Sequence, residues 1–304
     1  MLKKEKIIIT GSNGLLGQNL ISLFVNETDF EVFAFSKGKN RISKTTNFTY
    51  YNIDLTDSEV LTKHLKRIKP DFIINGAAMT NVDVCENKKE LCDKLNVTAV
   101  ETLIDYCKNE ETHLIQVSTD FIFDGEKGLY KEDDLPKPVN YYGESKLKSE
   151  ELLKKSKINF TILRTILVYG KVENANKGNI VLWVKGELEK GEKINVINDQ
   201  FRMPILANDL AKACLLVIQN SKSSKKQVYH VSSNELLSIY EIAIQIAEVF
   251  NLDKKLIHKI STKELNQKAQ RPAKTGFVLD KAITDLGFES VSFKERLVYF
   301  KEMI

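Results

Sequence analysis

The chain has 304 residues, of which 42% are hydrophobic and 28% are charged, proportions typical of a globular protein with a large core. Its formal net charge of +4 comes from 45 Lys and Arg against 41 Asp and Glu, spread along the chain, so we expect no nucleic-acid partner. Apolar runs stay short of the roughly 18 residues that span a membrane, and the amino terminus lacks a signal-peptide pattern. We therefore expect a cytoplasmic protein with no membrane contact.

The first candidate site is a glycine-rich turn between a strand and a helix. Ile7-Ile8-Ile9-Thr10 predicts a strand, and Gly11-Ser12-Asn13-Gly14-Leu15-Leu16-Gly17 leads from it into an apolar helix that ends near Phe24. Glycines at this spacing let the backbone approach a pyrophosphate, which the helix amino terminus then stabilises. We expect this turn to bind a dinucleotide; the alternative is a glycine-rich turn without a ligand.

The end of the second predicted strand, at residues 31–35, bears on the choice of cofactor. An acid at this place hydrogen-bonds the ribose 2′-hydroxyl of NAD, whereas basic or hydroxyl side chains suit the 2′-phosphate of NADP. The chain has Ser36 and Lys37, with Arg41 beyond them and no acid. We therefore expect NADP to be preferred and NAD to be possible, unless Lys37 and Arg41 only solvate a loop.

Regular alternation of strands and helices predicts a doubly wound parallel sheet. Further strands are expected near 48–51 and at 70–75, 113–117 and 160–164, and helices at 58–68, 88–108 and 142–155. We expect residues 1–170 to form a Rossmann-type NADP-binding domain, to which the chain returns around 205–232 through a helix capped by Asn208 and Asp209. Residues 171–304 are expected to form mostly a smaller substrate-binding lobe, with Trp183 in its core.

Three side chains capable of proton chemistry are predicted to meet at the ligand-binding edge of this sheet. Thr119 follows the strand at 113–117, and Tyr142 and Lys146 lie four apart on one helix face. A nearby ammonium favours the phenolate, so this pair can carry out acid–base chemistry near neutral pH. Although Tyr-x-x-x-Lys alone is also compatible with a solvated helix face, its position after Thr119 favours a proton-donor site for carbonyl reduction.

Cysteines and histidines give no sign of a metal centre. Cys85, Cys92, Cys107 and Cys214 form no C-x-x-C pair, and the four histidines are dispersed. Cys85 and Cys92 are seven residues apart and could share a helix face, but two thiols make a poor metal site. We interpret all four cysteines as reduced packing residues and expect no metal.

Taken together, the motifs resemble the extended short-chain dehydrogenase/reductase family, and within it the dTDP-4-dehydrorhamnose reductases. The likeness extends over nearly the whole chain. The segments that carry it are Asn75-Gly76-Ala77-Ala78-Met79-Thr80-Asn81-Val82-Asp83, Ser118-Thr119-Asp120-Phe121-Ile122-Phe123-Asp124-Gly125, Pro138-Val139-Asn140-Tyr141-Tyr142-Gly143, Asp199-Gln200 and Arg271-Pro272.

This resemblance implies NADPH-dependent reduction of the C4 keto group of a nucleotide-linked 6-deoxy-4-ketohexose, by a chain that can form a homodimer. Thr119 would polarise the carbonyl, Tyr142 would protonate its oxygen, and Lys146 would hold the nicotinamide ribose and lower the pKa of the phenol. The expected cofactor-binding residues are Gly11, Asn13, Gly14, Leu15, Leu16, Gly17, Ser36, Lys37, Asp54, Leu55, Ala77, Ala78, Tyr142 and Lys146. The expected substrate-binding residues are Thr80, Asp120, Phe121, Arg202 and Arg271.

Two of these expectations have open alternatives. Arg271 suits a substrate phosphate, but it could instead form an ion pair that holds the two lobes together. Asn96 would be a structural or a proton-relay residue.

The chain departs from the reductases at positions expected near the sugar. Phe121 replaces a usual Tyr, Ile166-Leu167 replaces Ser-Trp, Met79 stands where His or Tyr is common, and Arg202 replaces a Gly. Two alternatives therefore remain open. One is a non-catalytic nucleotide-binding protein that resembles the regulatory β subunit of methionine adenosyltransferase. The other is a sugar-nucleotide epimerase, which would keep its cofactor tightly bound.

Overall fold

Short runs of β-branched and aromatic residues form the strands. The computed structural model describes residues 4–43, 45–174, 178–265 and 267–304. Its strands are β1 (Lys6–Thr10), β2 (Glu31–Ser36), β3 (Thr49–Asn52), β4 (Phe72–Asn75), β5 (His113–Thr119), β6 (Gly128–Tyr130), β7 (Asn159–Thr165), β8 (Val168–Tyr169), β9 (Ile194–Ile197), β10 (Phe201–Arg202), β11 (Ile205–Leu206), β12 (Gln227–Val231), β13 (Leu237–Ser238), β14 (Ile257–Ile260) and β15 (Thr275–Phe277).

Helices follow most of these strands. They are α1 (Leu15–Glu27), α2 (Ser58–Ile68), α3 (Val82–Asn87), α4 (Lys89–Asp93), α5 (Ala99–Cys107), α6 (Tyr141–Lys155), α7 (Ile180–Glu189), α8 (Ala207–Gln219), α9 (Ser221–Ser224), α10 (Ile239–Phe250), α11 (Thr262–Leu265), α12 (Asp280–Leu286) and α13 (Phe293–Glu302). A π-helical segment, Lys94–Thr98, joins α4 to α5, and single 3₁₀ turns lie at Asp120–Ile122 and Lys254–Leu256. Within the described residues, no helix is both long enough and apolar enough to cross a membrane.

Seven strands form one sheet in the order β12-β7-β5-β4-β1-β2-β3, and every neighbouring pair is parallel. The chain runs outward from β1 in one direction and then from β4 in the other. Such sheets bind ligands at the carboxyl ends of the strands where the order reverses. The Gly11–Gly17 turn and the Gly76-Ala77-Ala78 segment meet at this point, and the predicted Rossmann-type doubly wound sheet is confirmed.

Helices cover both faces of the sheet, which explains why its strands are apolar at consecutive positions. In β1, Ile7 and Ile9 pack into a core formed with α1 and α8. Ile8 points to the other face, into a core formed with α2 and α5. A third core lies among α7, α10 and α13, around Tyr169, Ile242 and Phe293.

The smaller strands pair the later part of the chain with the earlier part. β15 pairs with β6, and β11 pairs with β8, both in parallel. β14 pairs with β9 in parallel and β10 pairs with β13 in antiparallel fashion, both within the region beyond residue 170. The carboxyl-terminal region is therefore paired with the earlier part of the chain at β6 and at β8, and it contributes β12 to the seven-stranded sheet.

The predicted bounds of the helix at 88–108 are wrong. The helical region begins earlier, at Val82, and Lys88 interrupts it with φ −133° and ψ 57°. Beyond this break, the π-helical segment makes a second irregularity before α5. Cys85 and Cys92 consequently lie on two separate short helices rather than on one face of a single helix.

Two further expectations for the carboxyl-terminal region are also wrong. Helix α8 begins at Ala207, directly after β11, and no side chain caps it; Asp209 instead accepts a hydrogen bond from Arg296 Nε at 2.8 Å. Trp183 is 44% exposed, because its neighbours Val181 and Val184 occupy the buried face of α7.

A buried ion pair fixes α6 against the sheet. Arg164 on β7 and Glu150 on α6 have side chains 1% and 0% exposed, and Arg164 Nη2 lies 2.7 Å from Glu150 Oε2. Glu150 also accepts a 2.6 Å hydrogen bond from the Ser118 hydroxyl on β5. Because these partners surround the carboxylate, the pKa of Glu150 is lowered despite its burial.

Replacing Glu150 by Gln should destabilise the fold strongly, because it leaves the Arg164 charge buried without a counter-ion. We expect the free energy of unfolding in urea to fall by about 3–5 kcal/mol. The adjacent Glu151 provides the control, since its pair with Lys155 is exposed, and Glu151→Gln should stay within about 0.5 kcal/mol of the wild type. Equal effects of the two substitutions would contradict this interpretation.

Candidate active site

Close backbone packing shapes the glycine turn after β1. Gly11 has φ +67°, and a Cβ atom there would lie 2.9 Å from the backbone of Ala77. A Cβ on Gly17 would lie 2.3 Å from the carbonyl oxygen of Gly11, so neither position accepts a side chain without displacing the backbone. Helix α1 starts immediately after Gly14, without a side-chain cap, and its first amide groups form an anion-binding terminus.

This turn forms one end of a cavity of about 1000 Å³. The cavity reaches every residue that the sequence predicted for cofactor, substrate or catalysis. They are Gly11, Asn13, Gly14, Leu15, Leu16, Gly17, Ser36, Lys37, Asp54, Leu55, Ala77, Ala78, Thr80, Thr119, Asp120, Phe121, Tyr142, Lys146, Arg202 and Arg271.

Other lining residues escaped the sequence reasoning. Leu91 and Leu95, one helical turn apart, lie on either side of the junction between α4 and the π-helical segment, while Ile239 and Gln267 come from the carboxyl-terminal region. The spacing of Leu91 and Leu95 was a usable signal. Nothing local in the sequence marks the other two.

The part of the cavity beside the end of β2 carries a cation paired with an acid. Lys37 Nζ lies 2.7 Å from Asp54 Oδ2, and the two side chains are 79% and 37% exposed. The pKa of Asp54 is lowered to about 2, first by the Lys37 hydrogen bond and then by that of the Thr56 hydroxyl. As the sequence showed, no acid directly follows β2. Asp54, which follows the neighbouring strand β3, nevertheless lies beside Lys37 at the end of β2.

Asn13 ties the glycine turn to the loop after β2. Its side-chain amide donates to the carbonyl of Lys39 at 2.9 Å and to the Tyr50 hydroxyl at 3.1 Å. Its side-chain oxygen accepts from the backbone N–H of Arg41 at 3.0 Å. These hydrogen bonds fix the glycine turn, which follows β1, against the loop that follows β2.

The three predicted catalytic side chains converge in the middle of the cavity. Asn140 caps α6 by accepting a 2.9 Å hydrogen bond from the Gly143 N–H, which starts the helix with Tyr142 facing the end of β5. Lys146, one turn further on, donates a 2.7 Å hydrogen bond to the carbonyl of Val117. Tyr142 and Lys146 are both buried, and the Thr119 side chain lies close enough to Tyr142 to act on the pKa of its phenol.

The electrostatics of this group differ from the prediction that Lys146 lowers the pKa of the phenol. Burial raises the pKa of Tyr142, and the nearby Thr119 side chain opposes this only in part. Burial also lowers the pKa of Lys146, to about 8. The negative charges of Glu150 and of the Cys92 thiolate oppose this shift. Tyr142 is therefore protonated at neutral pH, and Lys146 loses its charge as the pH rises through about 8.

Asp120 joins Thr119 to the carboxyl-terminal region. Its Oδ1 accepts a 3.1 Å hydrogen bond from the Thr119 hydroxyl, and its Oδ2 accepts from the Thr275 hydroxyl on β15. Arg202 Nε lies 3.6 Å from the same Oδ2. Burial raises the pKa of Asp120, and the Arg202 guanidinium opposes that rise.

Arg202 and Phe121 lie together beside Tyr142. The Arg202 guanidinium carbon lies 5.5 Å from the centre of the Phe121 ring, and this ring packs edge-on against Tyr142 at 5.8 Å between centroids. Arg202 also donates to the carbonyls of Phe201 and Pro272, at 2.7 and 2.8 Å. This part of the cavity is consequently apolar on one side and cationic on the other.

Arg271 forms the inter-lobe ion pair that was the alternative to a phosphate contact. Its Nη2 lies 2.7 Å from Asp83 Oδ2, and the backbone N–H of Ala269 donates to the other oxygen of Asp83 at 2.9 Å. The guanidinium nevertheless lines the cavity. Thr80, the remaining predicted substrate residue, is exposed at the rim.

Asn96 is the residue for which a structural or a proton-relay role was expected. Its side-chain oxygen accepts from the Met79 N–H at 2.7 Å, and its amide donates to the Met79 carbonyl at 3.2 Å and to the Ser145 hydroxyl at 2.9 Å. These contacts hold the loop after β4 against α6. Among the described residues, no group of three or more His, Cys, Asp or Glu side chains could hold a metal ion.

A protein-family model described as the RmlD substrate binding domain matches residues 5–303. The chain belongs to this family. Among RmlD-family relatives, "Probable low-salt glycan biosynthesis reductase Agl14" of Haloferax volcanii is 29% identical over 291 residues, which are 95% of this chain and 95% of the relative. "Methionine adenosyltransferase 2 subunit beta" of Xenopus laevis is 31% identical over 252 residues, which are 82% and 73% of the two chains.

A solved structure of the same kind supports this RmlD-family assignment. It is a dTDP-4-dehydrorhamnose reductase from Bacillus anthracis in complex with NADP, with a TM-score of 0.85 and 27% sequence identity. The superposition covers 99% of this chain and 100% of the other. The RmlD-family fold is thus shared over essentially the whole chain.

Lys146→Met should make the protein more stable at neutral pH, because the folded state holds this ammonium at a lowered pKa. Between about pH 8 and 10.5 the unfolded chain keeps a proton that the folded protein has lost, so wild-type stability should rise with pH there. At pH 7 we expect the variant to gain about 2 kcal/mol of unfolding free energy, after the lost hydrogen bond is subtracted.

Urea unfolding of both proteins at pH 7 and pH 10 measures this difference. The advantage of the variant should shrink at the higher pH. A variant that is less stable at pH 7, or an advantage that does not depend on pH, would show that the ammonium is well solvated in the folded state.

Proposed function

We propose that this chain reduces the C4 keto group of a nucleotide-linked 6-deoxy-4-ketohexose with NADPH. The observation that carries the proposal is that Thr119, Tyr142 and Lys146 share one cavity with the glycine turn. The coarser activity, that of an NAD(P)-dependent oxidoreductase, is supported by the relative named a reductase and by the related structure that contains NADP.

The residues of the glycine turn fit a dinucleotide. At Gly11 and Gly17 a Cβ atom would collide with backbone, and the uncapped start of α1 offers amide groups to a pyrophosphate. The cofactor, when bound, supplies the hydride for carbonyl reduction. Gly76, Ala77 and Ala78 would border it at the switch point, and Lys146 would contact the nicotinamide ribose.

Tyr142 has the properties of the proton donor in this scheme. Because burial raises its pKa, the phenol is protonated at neutral pH and can give its proton to the carbonyl oxygen as the oxygen gains negative charge. Lys146, charged below about pH 8, would stabilise the phenolate that remains.

Thr119 would polarise the carbonyl after a change of hydrogen-bond partner. Its hydroxyl donates to Asp120 and accepts from the Phe121 N–H at 3.2 Å. A substrate carbonyl oxygen beside Tyr142 would compete with Asp120 for the hydroxyl proton. The buried carboxylate would keep the contacts of Thr275 and Arg202 when the hydroxyl turns away.

Residues 171–304 would supply most of the substrate-binding surface. Arg202, Arg271 and Gln200 line the cavity from this side, and guanidinium groups suit a sugar-nucleotide diphosphate. The apolar wall formed by Met79 and Phe121 would face the sugar, where a 6-deoxy carbon needs no hydrogen-bond partner.

The similarity to the methionine adenosyltransferase β subunit favours a second candidate function. A non-catalytic protein could use the same cavity to bind a nucleotide while it associates with a partner chain. The complete set of Thr119, Tyr142 and Lys146 supports the enzyme, whereas Arg202 in place of the reductases' Gly supports the binder.

Tyr142→Phe should abolish most turnover of dTDP-4-keto-6-deoxyhexose, because the ring stays and only the proton donor is lost. We expect kcat, followed by NADPH absorbance, to fall about a hundredfold or more. Tyr141→Phe is the matched control: the neighbouring hydroxyl bonds to Asp93 at 2.7 Å outside the cavity, and its loss should leave turnover within about twofold of wild type.

The wild-type result separates the candidate functions. Tight NADPH binding without consumption, on every 4-keto sugar nucleotide supplied, would overturn the reductase and favour the binder. A dinucleotide that co-purifies and is not consumed while the sugar epimerises would identify an epimerase instead.

Lys37→Ala should weaken NADPH binding selectively, since Lys37 and Arg41 are the cations at the cavity end that suits a 2′-phosphate. We expect the Kd for NADPH to rise about tenfold, and that for NADH by less than about twofold. Lys39→Ala, on the same loop but outside the cavity, should change neither. Equal weakening for both cofactors would show that Lys37 does not contact the 2′-phosphate.

A further inference from the structure

Two buried cysteines lie directly behind the catalytic tyrosine. Cys85 on α3 and Cys92 on α4 are both 0% exposed, and they form one apolar cluster with Tyr142. Of its neighbours, the Cys85 side chain has the largest effect on the pKa of the Cys92 thiol. The single residue Lys88, at the break between the two short helices, joins the segments that carry them.

Both thiols also form hydrogen bonds with elements that shape the cavity, namely the loop after β4 and helix α6. Cys85 Sγ donates to the Met79 carbonyl at 3.4 Å, and Cys92 Sγ donates to the Ser145 hydroxyl at 3.4 Å. The Asn96 amide donates to Cys92 Sγ at 3.3 Å. Met79 lines the cavity, and Ser145 is adjacent to Lys146 on α6.

Cys92 differs chemically from the cysteines in the two sheet cores. Its pKa is lowered to about 7, first by the neighbouring Cys85 side chain and then by Ser145 and the nearby Lys146 ammonium; burial and the Asp93 carboxylate oppose this. Burial instead raises the pKa of Cys107 and of Cys214 to about 12. Only the thiolate attacks an oxidant, so Cys92 is the reactive member of the set.

We propose that Cys85 and Cys92 form an oxidisable dithiol that closes to a disulfide and thereby switches the adjacent site off. With a peroxide as oxidant, the Cys92 thiolate attacks one peroxide oxygen, giving a sulfenic acid and releasing water after protonation. Cys85 sulfur then displaces the sulfenic hydroxyl as a second water. The net change is two thiols and one hydrogen peroxide to one disulfide and two waters.

Closure acts on the site in two ways. It removes the S–H donors that bond to Met79 and Ser145, so the loop after β4 and the first turns of α6 lose fixed contacts. In molecules in which Cys92 is a thiolate and not a thiol, closure instead removes the negative charge that helps to keep Lys146 protonated. Both changes weaken the arrangement of Tyr142 and Lys146 that a dinucleotide would meet.

Peroxide treatment of the wild-type protein, followed by thiol alkylation and peptide mass mapping, tests the pairing. We expect a single 85–92 disulfide that a dithiol reductant reverses, with Cys107 and Cys214 still free. Cys214→Ala, which removes an unreactive buried thiol, should behave like the wild type. Free Cys85 after treatment, with Cys92 unmodified or oxidised to the sulfinic acid, would overturn the proposal.

The effect on the site is measured on the same oxidised and reduced samples. Hydrogen exchange in residues 78–80 and 141–147 should be faster in the disulfide form, and this readout needs neither cofactor nor turnover. The Kd for NADPH should rise about fivefold, the change that one lost hydrogen bond produces. The double variant Cys85→Ala/Cys92→Ala should not respond to peroxide.

A disulfide that leaves hydrogen exchange unchanged would show a modification without a switch and would overturn the second half of the proposal. If the reduced protein binds no NADPH, the proposed function fails, while mass mapping and hydrogen exchange still decide the role of the thiols.

Discussion

The geometry of the candidate site depends on the buried ion pair between Arg164 and Glu150. Glu150 lies two turns beyond Tyr142 on α6, and its carboxylate also holds Ser118, the residue before Thr119. One acid therefore sets the distance between the helix that carries the phenol and the ammonium and the strand that carries the hydroxyl. A buried ion pair of this kind adds little net stability, because the cost of removing both charges from water offsets their attraction. It does fix the relative position of the two elements that carry it.

The geometry of the candidate site also depends on contacts between residues before 170 and residues beyond 200. Asp120 connects Thr119 to Thr275 and Arg202, and Asp83 connects helix α3 to Arg271. The polar groups at these two places in the cavity are thus paired with one another in the absence of a ligand. A substrate that enters must exchange hydrogen bonds with them, and this favours ligands rich in anionic and carbonyl oxygens.

Local patterns predicted the fold and many of the residues that line the cavity. Residues 11–17 and the pair Tyr142–Lys146 depend on spacing within one turn or one helix, and the sheet edge brings them together by topology alone. The sequence could not reveal that Asp54 reaches Lys37 or that Cys92 meets Cys85 across the break at Lys88. The rise in the pKa of Tyr142 was missed because burial, which decides it, comes from packing that no local pattern encodes.

The place of β12 in the sheet has a consequence for dissecting the chain. A fragment that ended at residue 170 would keep the glycine turn, Tyr142 and Lys146, but β7 would lose the neighbour with which residues 161–165 pair. Its unpaired N–H and C=O groups would form an exposed, apolar edge, and such edges recruit strands from other molecules. A fragment cut at this boundary would therefore lack a neighbour on which the sheet depends, and we expect its exposed edge to favour aggregation.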